Sequence, residues 1–396
     1  MRRLSPRIPK RESHILFSIN EWGRLRAVIL GTVDGFAPGL SFSRRASPAE
    51  ITEAEAIAAE GYPKSYLEEV AEDLDGFRVA LEAEGVRVLR PSWTEDAVSF
   101  TTPNFSGSGF DLYNVRDQQL VVGNTYVSTP PTSRFRYFEQ FGLQELLHRH
   151  YFDQGFRWVC APPPKLRGTY LREVPRPKTD LEKLEDDRQR ALGNKVPERF
   201  RLLDEDEVLF DAANVCRLGK DLLYLVSKSG NRKGGRWLQA ILGPDYRVHF
   251  TETYRSSHLD STIVPLREGL VLLNRFRVSS ETCPTILAGW DKISFGDAAP
   301  VPAEEIDFHE RVRVPVARRL AALGVESTLD QLTSPWIGLN LLVIRPGLVM
   351  VTNPQPMLQR ELARHGVESI AIRMRHAYSM LGGLHCTTLD LERDAD

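Results

Sequence analysis

Cys386 lies in the stretch Ser379-Met380-Leu381-Gly382-Gly383-Leu384-His385-Cys386-Thr387-Thr388-Leu389-Asp390-Leu391. Two glycines let the backbone approach a ligand closely, and the residues after them alternate as a strand does, so Cys386 is expected where a pocket meets a sheet. A thiol there can act as a nucleophile, although a buried cysteine taken alone is more often a small hydrophobe. His258 and Asp260, in Ser257-His258-Leu259-Asp260-Ser261-Thr262, are two residues apart, and on a strand their side chains would share a face. Asp211, in Phe210-Asp211-Ala212-Ala213-Asn214, adds a carboxylate. A histidine beside an aspartate is more often a structural pair than a catalytic one. What favours chemistry here is that these four residues fall at equivalent places of a repeated unit and would converge on one spot. A thiol, an imidazole and carboxylates in one cavity suit attack on a cationic carbon: the carboxylates hold the cation, the cysteine attacks and the histidine moves protons. By the same alternation His385 should face the other way and be structural, and His148 and His150 fall on an amphipathic helix as surface or core-edge residues.

The unit that must position these residues recurs along the chain. A helix over Lys64 to Glu84 carries Leu67, Val70, Leu74, Phe77 and Leu81 on one face, Gly85 caps it, and the strand Val86-Arg87-Val88-Leu89 follows. The same helix, glycine and strand ending is repeated around Gly155, Gly243, Gly289 and Gly366. Apolar strands precede these endings at Arg26 to Gly31, Gln119 to Asn124, Asp221 to Ser227, Gly269 to Asn274 and Gly347 to Asn353, most of them as the second arm of a tight hairpin. Five weakly similar units predict radial repetition: an α/β fold, a five-fold pseudosymmetric α/β propeller of pentein-like type, with both termini sharing one blade. A doubly wound sheet fits less well, because no glycine-rich phosphate loop follows any strand, and Gly230 to Gly235 reads as a loop into the next helix. Residues 1–18 read as a basic tail and 19–396 as a single domain. Its insertions fall at about 166–208, with a short helix at Asp180 to Asp186, and at about 297–332, with a helix around Arg311 to Leu323. The openings of the five units are Thr101 to Phe105, Phe210 to Asn214, Ser257 to Thr262, Thr333 to Asn340 and Gly383 to Cys386, and polar residues collect there.

Composition narrows the function. The 396 residues carry a formal net charge of −2, which supplies no basic field to draw nucleic acid. The four cysteines are far apart with no CxxC pair, against a structural zinc site or a disulfide framework and in favour of a reducing compartment. No apolar run approaches the length of a membrane span, so the expectation is a cytoplasmic protein acting on small molecules.

Taken together, Phe210-Asp211-Ala212-Ala213-Asn214, Trp237-Leu238-Gln239, Ser257-His258-Leu259-Asp260-Ser261-Thr262, Trp336-Ile337-Gly338-Leu339-Asn340 and Gly382-Gly383-Leu384-His385-Cys386 resemble the amidinotransferases. That group includes glycine amidinotransferase and bacterial enzymes that amidinate aminocyclitols or natural-product precursors, and the similarity runs from Asn20-Glu21-Trp22 to Leu391. The resemblance implies a five-fold α/β propeller, Cys386 as nucleophile, His258 as general acid and base, and Asp211 as its orienting partner. It implies that Asp260 grips the guanidinium of the donor, that Arg277, Thr333 and Ser334 bind the rest of the substrate, and that Asn104 stands at a donor-site position. It further implies a homodimer that moves an amidino group from arginine to an acceptor amine, releases ornithine, and needs no metal or cofactor. The rival readings are a hydrolase of the same superfamily, an arginine deiminase or dihydrolase, and a non-catalytic binder of arginine-like ligands. This chain departs from the family pattern at Leu381-Gly382-Gly383, where three glycines are usual, at Leu384, where an aromatic is usual, at Asn104 in place of an aspartate, and at Asn114-Val115-Arg116-Asp117 in place of Met-Pro-Arg-Asp.

Overall fold

In the computed structural model the described residues are 16–92, 99–168, 170–175, 187, 190, 199–255, 258–279, 281–297 and 300–395. Five three-stranded sheets dominate. The first joins Leu25–Leu30 to Thr388–Arg393 and Arg87–Leu89. The second holds Gln119–Val122, Thr125–Ser128 and Arg157–Cys160, and the third Val215–Leu218, Asp221–Leu225 and Arg247–Thr251. The fourth holds Ile263–Arg267, Leu270–Asn274 and Asp291–Phe295, and the fifth Leu342–Arg345, Leu348–Thr352 and Glu368–Ile372. Every middle strand runs antiparallel to one neighbour and parallel to the other. A hairpin can make the first pairing, but the second needs a crossover, which contains a helix in four of the units and only the 3-10 turn Thr285–Leu287 in the unit of the fourth sheet.

The middle strands are mostly apolar and almost wholly buried because both faces are covered. Ala27, Ile29 and Leu389 of the first sheet pack with Val121 and Tyr126 of the second. Leu120, Val122 and Val127 then pack with Val215, Leu222 and Tyr224 of the third. Cys216, Leu223 and Leu225 meet Ile263, Val271 and Leu273 of the fourth, and Val264, Leu270 and Leu272 meet Val343, Val349 and Val351 of the fifth. Leu342, Ile344 and Met350 return to Leu25, Val28 and Leu30 of the first. Alternate side chains of one strand thus serve two different neighbours, as the two-residue period of a strand requires. The five sheets remain separate and do not merge into one closed barrel.

The Lys64–Ala83 helix buries Val70, Leu74, Phe77 and Leu81 on one stripe, as their spacing predicts. Gly85, Gly155, Gly243 and Gly366 follow their helices with φ between +69° and +79°, the left-handed geometry that glycine adopts without penalty. Gly289 does not, because its unit has only the 3-10 turn Thr285–Leu287 where a helix is expected; Pro284 opens that turn. The segment Gln119 to Asn124 is the outer arm of its hairpin, and the middle strand is Thr125–Ser128. Both arms are buried and β-prone, so pattern alone does not rank them.

Other expectations need adjustment. Thr101 to Phe105 does not open a unit; it turns between Ser99–Thr101 and Ser106–Leu112 in a four-stranded sheet with Thr32–Phe42 and Val325–Ser327. The expected helix at 311–323 is the end of a longer helical run: Ala303–Phe308, a widened turn His309–Arg313 and Val314–Ala322. Pro315 lacks the N–H that would continue a regular ladder there, which accounts for the widening. Around 166–208 the strands Leu171–Pro175 and Arg199–Leu203 pair, and the pattern Asp180 to Asp186 lies outside the described residues. Of the proposed tail, residues 1–15 lie outside the described residues; Leu16 and Ser18 are buried, and the Phe17 N–H donates to the Leu391 carbonyl. No helix among the described residues is long and apolar enough to cross a membrane.

Candidate active site

The residues that gather around Cys386 and His258 sit in the turns that lead into the first strand of each sheet. Asp117 precedes Gln119–Val122, Asp211 precedes Val215–Leu218, His258 and Asp260 precede Ile263–Arg267, Asn340 precedes Leu342–Arg345 and Cys386 precedes Thr388–Arg393. All five sheets therefore contribute. Neither Cys386 nor the His258–Asp260 pair is on a strand, so the alternation argument does not apply to them. The chain from Leu384 to Thr387 makes a helical turn in which the Thr387 N–H donates to the Gly383 carbonyl. Side chains in such a turn fan out, and His385 consequently points into the site rather than away from it.

Cys386 is buried, with Sγ 3.2 Å from Asp260 Oδ2 and 3.1 Å from Asn340 Nδ2. Asn340 fixes three groups at once: its Nδ2 also donates to Asp260 Oδ2 at 2.8 Å, and its Oδ1 accepts the Cys386 N–H at 3.0 Å. His385 Nδ1 lies 3.1 Å from the same Asp260 oxygen, and its Nε2 lies 3.6 Å from Glu21 Oε2. His258 stands between two carboxylates from different sheets, with Nε2 2.9 Å from Asp211 Oδ2 and Nδ1 3.6 Å from Asp117 Oδ1. Thr132 Oγ1 donates to the other Asp211 oxygen at 2.7 Å, and Arg136 Nη1 donates to Asp117 Oδ2 at 2.5 Å, so both carboxylates are held in place from behind.

These arrangements set the charges. Burial pushes the Cys386 thiol up, and the charges of Asp260 and Asp117 push it further, so the site without a ligand favours the thiol. Burial alone would lower His258, but Asp117, Asp211 and Asp260 outweigh it and hold the imidazole at about 9. Burial would raise Asp260; its hydrogen bond from His385 and the neighbouring positive charges prevail and keep it well below the carboxylate range. The result is a buried cluster of several carboxylates and a protonated imidazole, suited to a cation. No group of three or more His, Cys, Asp or Glu among the described residues could hold a metal ion.

Beneath the site, Asp390 binds three guanidinium groups: Arg116 at 2.7 Å, Arg217 at 2.5 Å and Arg393 at 2.8 Å. Arg116 also donates to the His385 carbonyl at 2.7 Å and, through its N–H, to the Cys386 carbonyl at 3.2 Å. Glu21 completes the cluster with a two-pronged pair to Arg217. Breaking a buried cluster of this kind leaves uncompensated charge, which costs about 3–5 kcal/mol per pair.

Arg277 is buried, stacks over Tyr254 at 4.0 Å and donates to Ser261 Oγ and Ser334 Oγ, both at 2.9 Å. Ser334 caps the short turn Pro335–Leu339, and the Thr333 N–H donates to the Tyr378 carbonyl. Asn104 is half-buried in a turn, where its N–H donates to Thr102 Oγ1; its bonds are to that turn, and none joins it to the cysteine cluster. The residues not anticipated as site members are Asp117, Asn340 and His385. Asp117 and Asn340 each end a motif that was visible in the sequence, and their position just before a hairpin was the available signal.

The two glycines before the histidine have a specific reason. A Cβ at Gly382 would lie 1.8 Å from Asn114 Oδ1, and one at Gly383 would lie 3.0 Å from Asn340 and Thr352. Leu381 takes φ +61°, unusual for a branched residue, at the place where the family pattern has a glycine. Gly382→Ala is expected to destabilise the protein by about 1–3 kcal/mol, measured by denaturant unfolding, and to lower activity by displacing the Cys386 turn.

A fold of this kind, with cysteine, histidine and carboxylates converging from separate units, defines an amidino-group enzyme class, and similarity to known proteins makes the family definite. The chain is 37% identical over 381 residues to inosamine-phosphate amidinotransferase 1 of Streptomyces griseus, covering 95% of this chain and 96% of that protein. It is 30% identical over 382 residues to the L-arginine:L-lysine amidinotransferase of Pseudomonas savastanoi pv. phaseolicola, covering 95% and 94%. The solved Streptomyces griseus inosamine-phosphate amidinotransferase superposes with a TM-score of 0.73 at 33% identity over 96% of this chain and 97% of that one. The chain therefore belongs to the amidinotransferase family and is an enzyme. No protein-family profile matches it. Dimethylarginine dimethylaminohydrolase from Pseudomonas aeruginosa, at 13% identity and a TM-score of 0.50 over 92% of this chain and 99% of that one, shares the fold alone.

Proposed function

We propose that the protein transfers the amidino group of arginine to an acceptor amine through a covalent amidino-cysteine on Cys386, releasing ornithine. The observation that carries this reading is the contact of Cys386 Sγ with Asp260, in a pocket where His258 is held protonated between Asp211 and Asp117. The five sheets form, in this reading, a five-bladed ring, supported by the cyclic order in which their cores adjoin. Arginine as donor is supported by the name of the Pseudomonas savastanoi relative.

A guanidinium is a poor electrophile because its charge is delocalised. Asp260 concentrates that charge by binding the terminal nitrogens, while Arg277, with Thr333 and Ser334, receives the amino-acid end and Asn104 faces the donor with an uncharged amide. The arriving cation offsets the carboxylates that hold the thiol protonated, so the thiol gives its proton to solvent as the donor docks. Sγ then forms a bond to the central carbon, and the bond from that carbon to the side-chain nitrogen of arginine breaks. His258, already an imidazolium, gives its proton to the departing amine. The acceptor amine next attacks the amidino-thioether, His258 takes its proton, and the carbon–sulfur bond breaks to regenerate the thiolate.

Incubation with arginine and a panel of amines, followed by mass spectrometry, tests the reading. The expected products are ornithine and an amidinated amine, each in amounts that depend on both substrates. Citrulline or ammonia formed equally well without any amine would replace it with a hydrolase.

A further inference from the structure

One oxygen of Asp260 is shared by three groups. Asn340 Nδ2 donates to Oδ2 at 2.8 Å, His385 Nδ1 lies 3.1 Å from it and Cys386 Sγ lies 3.2 Å from it. Among the described residues no hydrogen bond reaches the other oxygen, Oδ1. Asn340 divides its N–H groups between Asp260 and Sγ, whereas the His385 ring is bonded to Asp260 and not to the sulfur.

The His385 ring is built into its place from all sides. Its backbone N–H donates to the Asn340 carbonyl at 3.3 Å, and its own carbonyl accepts from Arg116 Nε at 2.7 Å and Thr388 Oγ1 at 3.1 Å. The ring is wedged between two carboxylates, Asp260 at Nδ1 and Glu21 at Nε2, and Glu21 is itself tied down by its two-pronged pair with Arg217. Asp260 stays ionised and can only accept, so Nδ1 is the donor of the bond between them. The side chain is only 14% exposed and that of Asp260 5%, so water competes little for this bond.

The arrangement answers a difficulty of the chemistry. When Cys386 gives up its proton, a thiolate and a carboxylate oxygen stand 3.2 Å apart in a buried site, where like charges repel more strongly than in water. An N–H group on the shared oxygen draws off part of its charge and holds it still. We propose that His385 is a positioning residue. Its Nδ1–H fixes Asp260 Oδ2, which makes that carboxylate compatible with a thiolate on Cys386 and leaves Oδ1 for the guanidinium of the donor. His385 acts through Asp260 and makes no bond to Sγ. The part that concerns the donor rests on the function proposed above; the part that concerns the thiolate does not.

Alkylation of Cys386 by iodoacetamide at fixed pH, followed by mass spectrometry of its peptide, tests the role without any substrate. His385→Leu should slow the reaction about fivefold or more, because the thiolate then faces an unrelieved carboxylate. His385→Asn, whose Nδ2 can stand where Nδ1 stands, should remain within about twofold of wild type. In an Asp260→Asn background His385→Leu should have almost no effect, since the residue through which it acts is gone. With arginine as substrate, His385→Leu should raise the KM about tenfold and His385→Asn less than threefold. The proposal is overturned if His385→Leu alkylates at the wild-type rate, if His385→Asn is as slow as His385→Leu, or if the slowing persists in full with Asp260→Asn. If His385→Leu does not fold, as judged by its thermal transition, His385→Gln replaces it: its amide stands where Nε2 stands, against Glu21, and a wild-type alkylation rate there overturns the proposal equally. Wild-type protein that fails to consume arginine would instead remove the proposed donor, and the alkylation series would still decide the role of His385.

Discussion

Cys386→Ala is expected to lose amidino transfer by a factor on the order of 10⁴ or more, because the groups that touch Sγ, Asp260 and Asn340, offer no thiol in its place. Wild-type protein incubated with arginine alone should gain the mass of one amidino group and release one equivalent of ornithine, and the variant should do neither. The variant's fold should survive, since Asn340 Oδ1 binds the backbone N–H of residue 386 and not only its side chain. Transfer by Cys386→Ala at a rate near wild type would assign the nucleophile elsewhere.

The second large effect belongs to His258 and its carboxylates. His258→Asn or Asp211→Asn should each lower turnover by about 10²–10⁴, and the double variant should lose little beyond the larger single effect, because the two residues act through one hydrogen bond. Additive losses would separate them. The same pair carries a pH signature. His258 titrates at about 9 in the folded protein, above its ordinary 6.5, so folding favours its protonated form. The stability it contributes is fully present below 6.5 and is lost as pH rises through about 9. A pH series of thermal unfolding should show that loss in wild type, and His258→Asn should lack it. Identical pH profiles for the two proteins would mean that Asp117 and Asp211 do not hold the proton on His258.

Much of this was legible in the sequence because it rests on local rules. The Lys64–Ala83 helix follows from its apolar spacing, and the glycines after four of the helices follow from the left-handed turn that a helix end requires. Cys386, His258, Asp211 and Asp260 could be named because residues at matching places of repeated units meet when the units pack together. One failure came from extending strand alternation into a turn. Read as strand, His385 points away from the site, whereas in the turn at Leu384 to Thr387 it reaches Asp260. Read as the opening of a unit, Thr101 to Phe105 displaced Asn114 to Asp117, and Asp117 was overlooked although it stands 3.6 Å from His258. Asn340 could not be inferred from spacing, because its value lies in three bonds to residues distant in sequence.

The first sheet pairs Leu25–Leu30 with Thr388–Arg393, and Asp390 in that last strand accepts hydrogen bonds from Arg116, Arg217 and Arg393. During synthesis on a ribosome, the four internal hairpins can form as they emerge, but Leu25–Leu30 must wait for Thr388–Arg393. Until it arrives, Arg116 and Arg217 lack their shared counter-ion, and the edge of Leu25–Leu30 is open to pairing with other chains. Closing the first sheet is a contact of very long sequence separation and should be the slow step of folding. Cys386, the proposed nucleophile, enters on the same segment, two residues before that strand. A nascent chain therefore acquires the Cys386 thiol only when the first sheet can close.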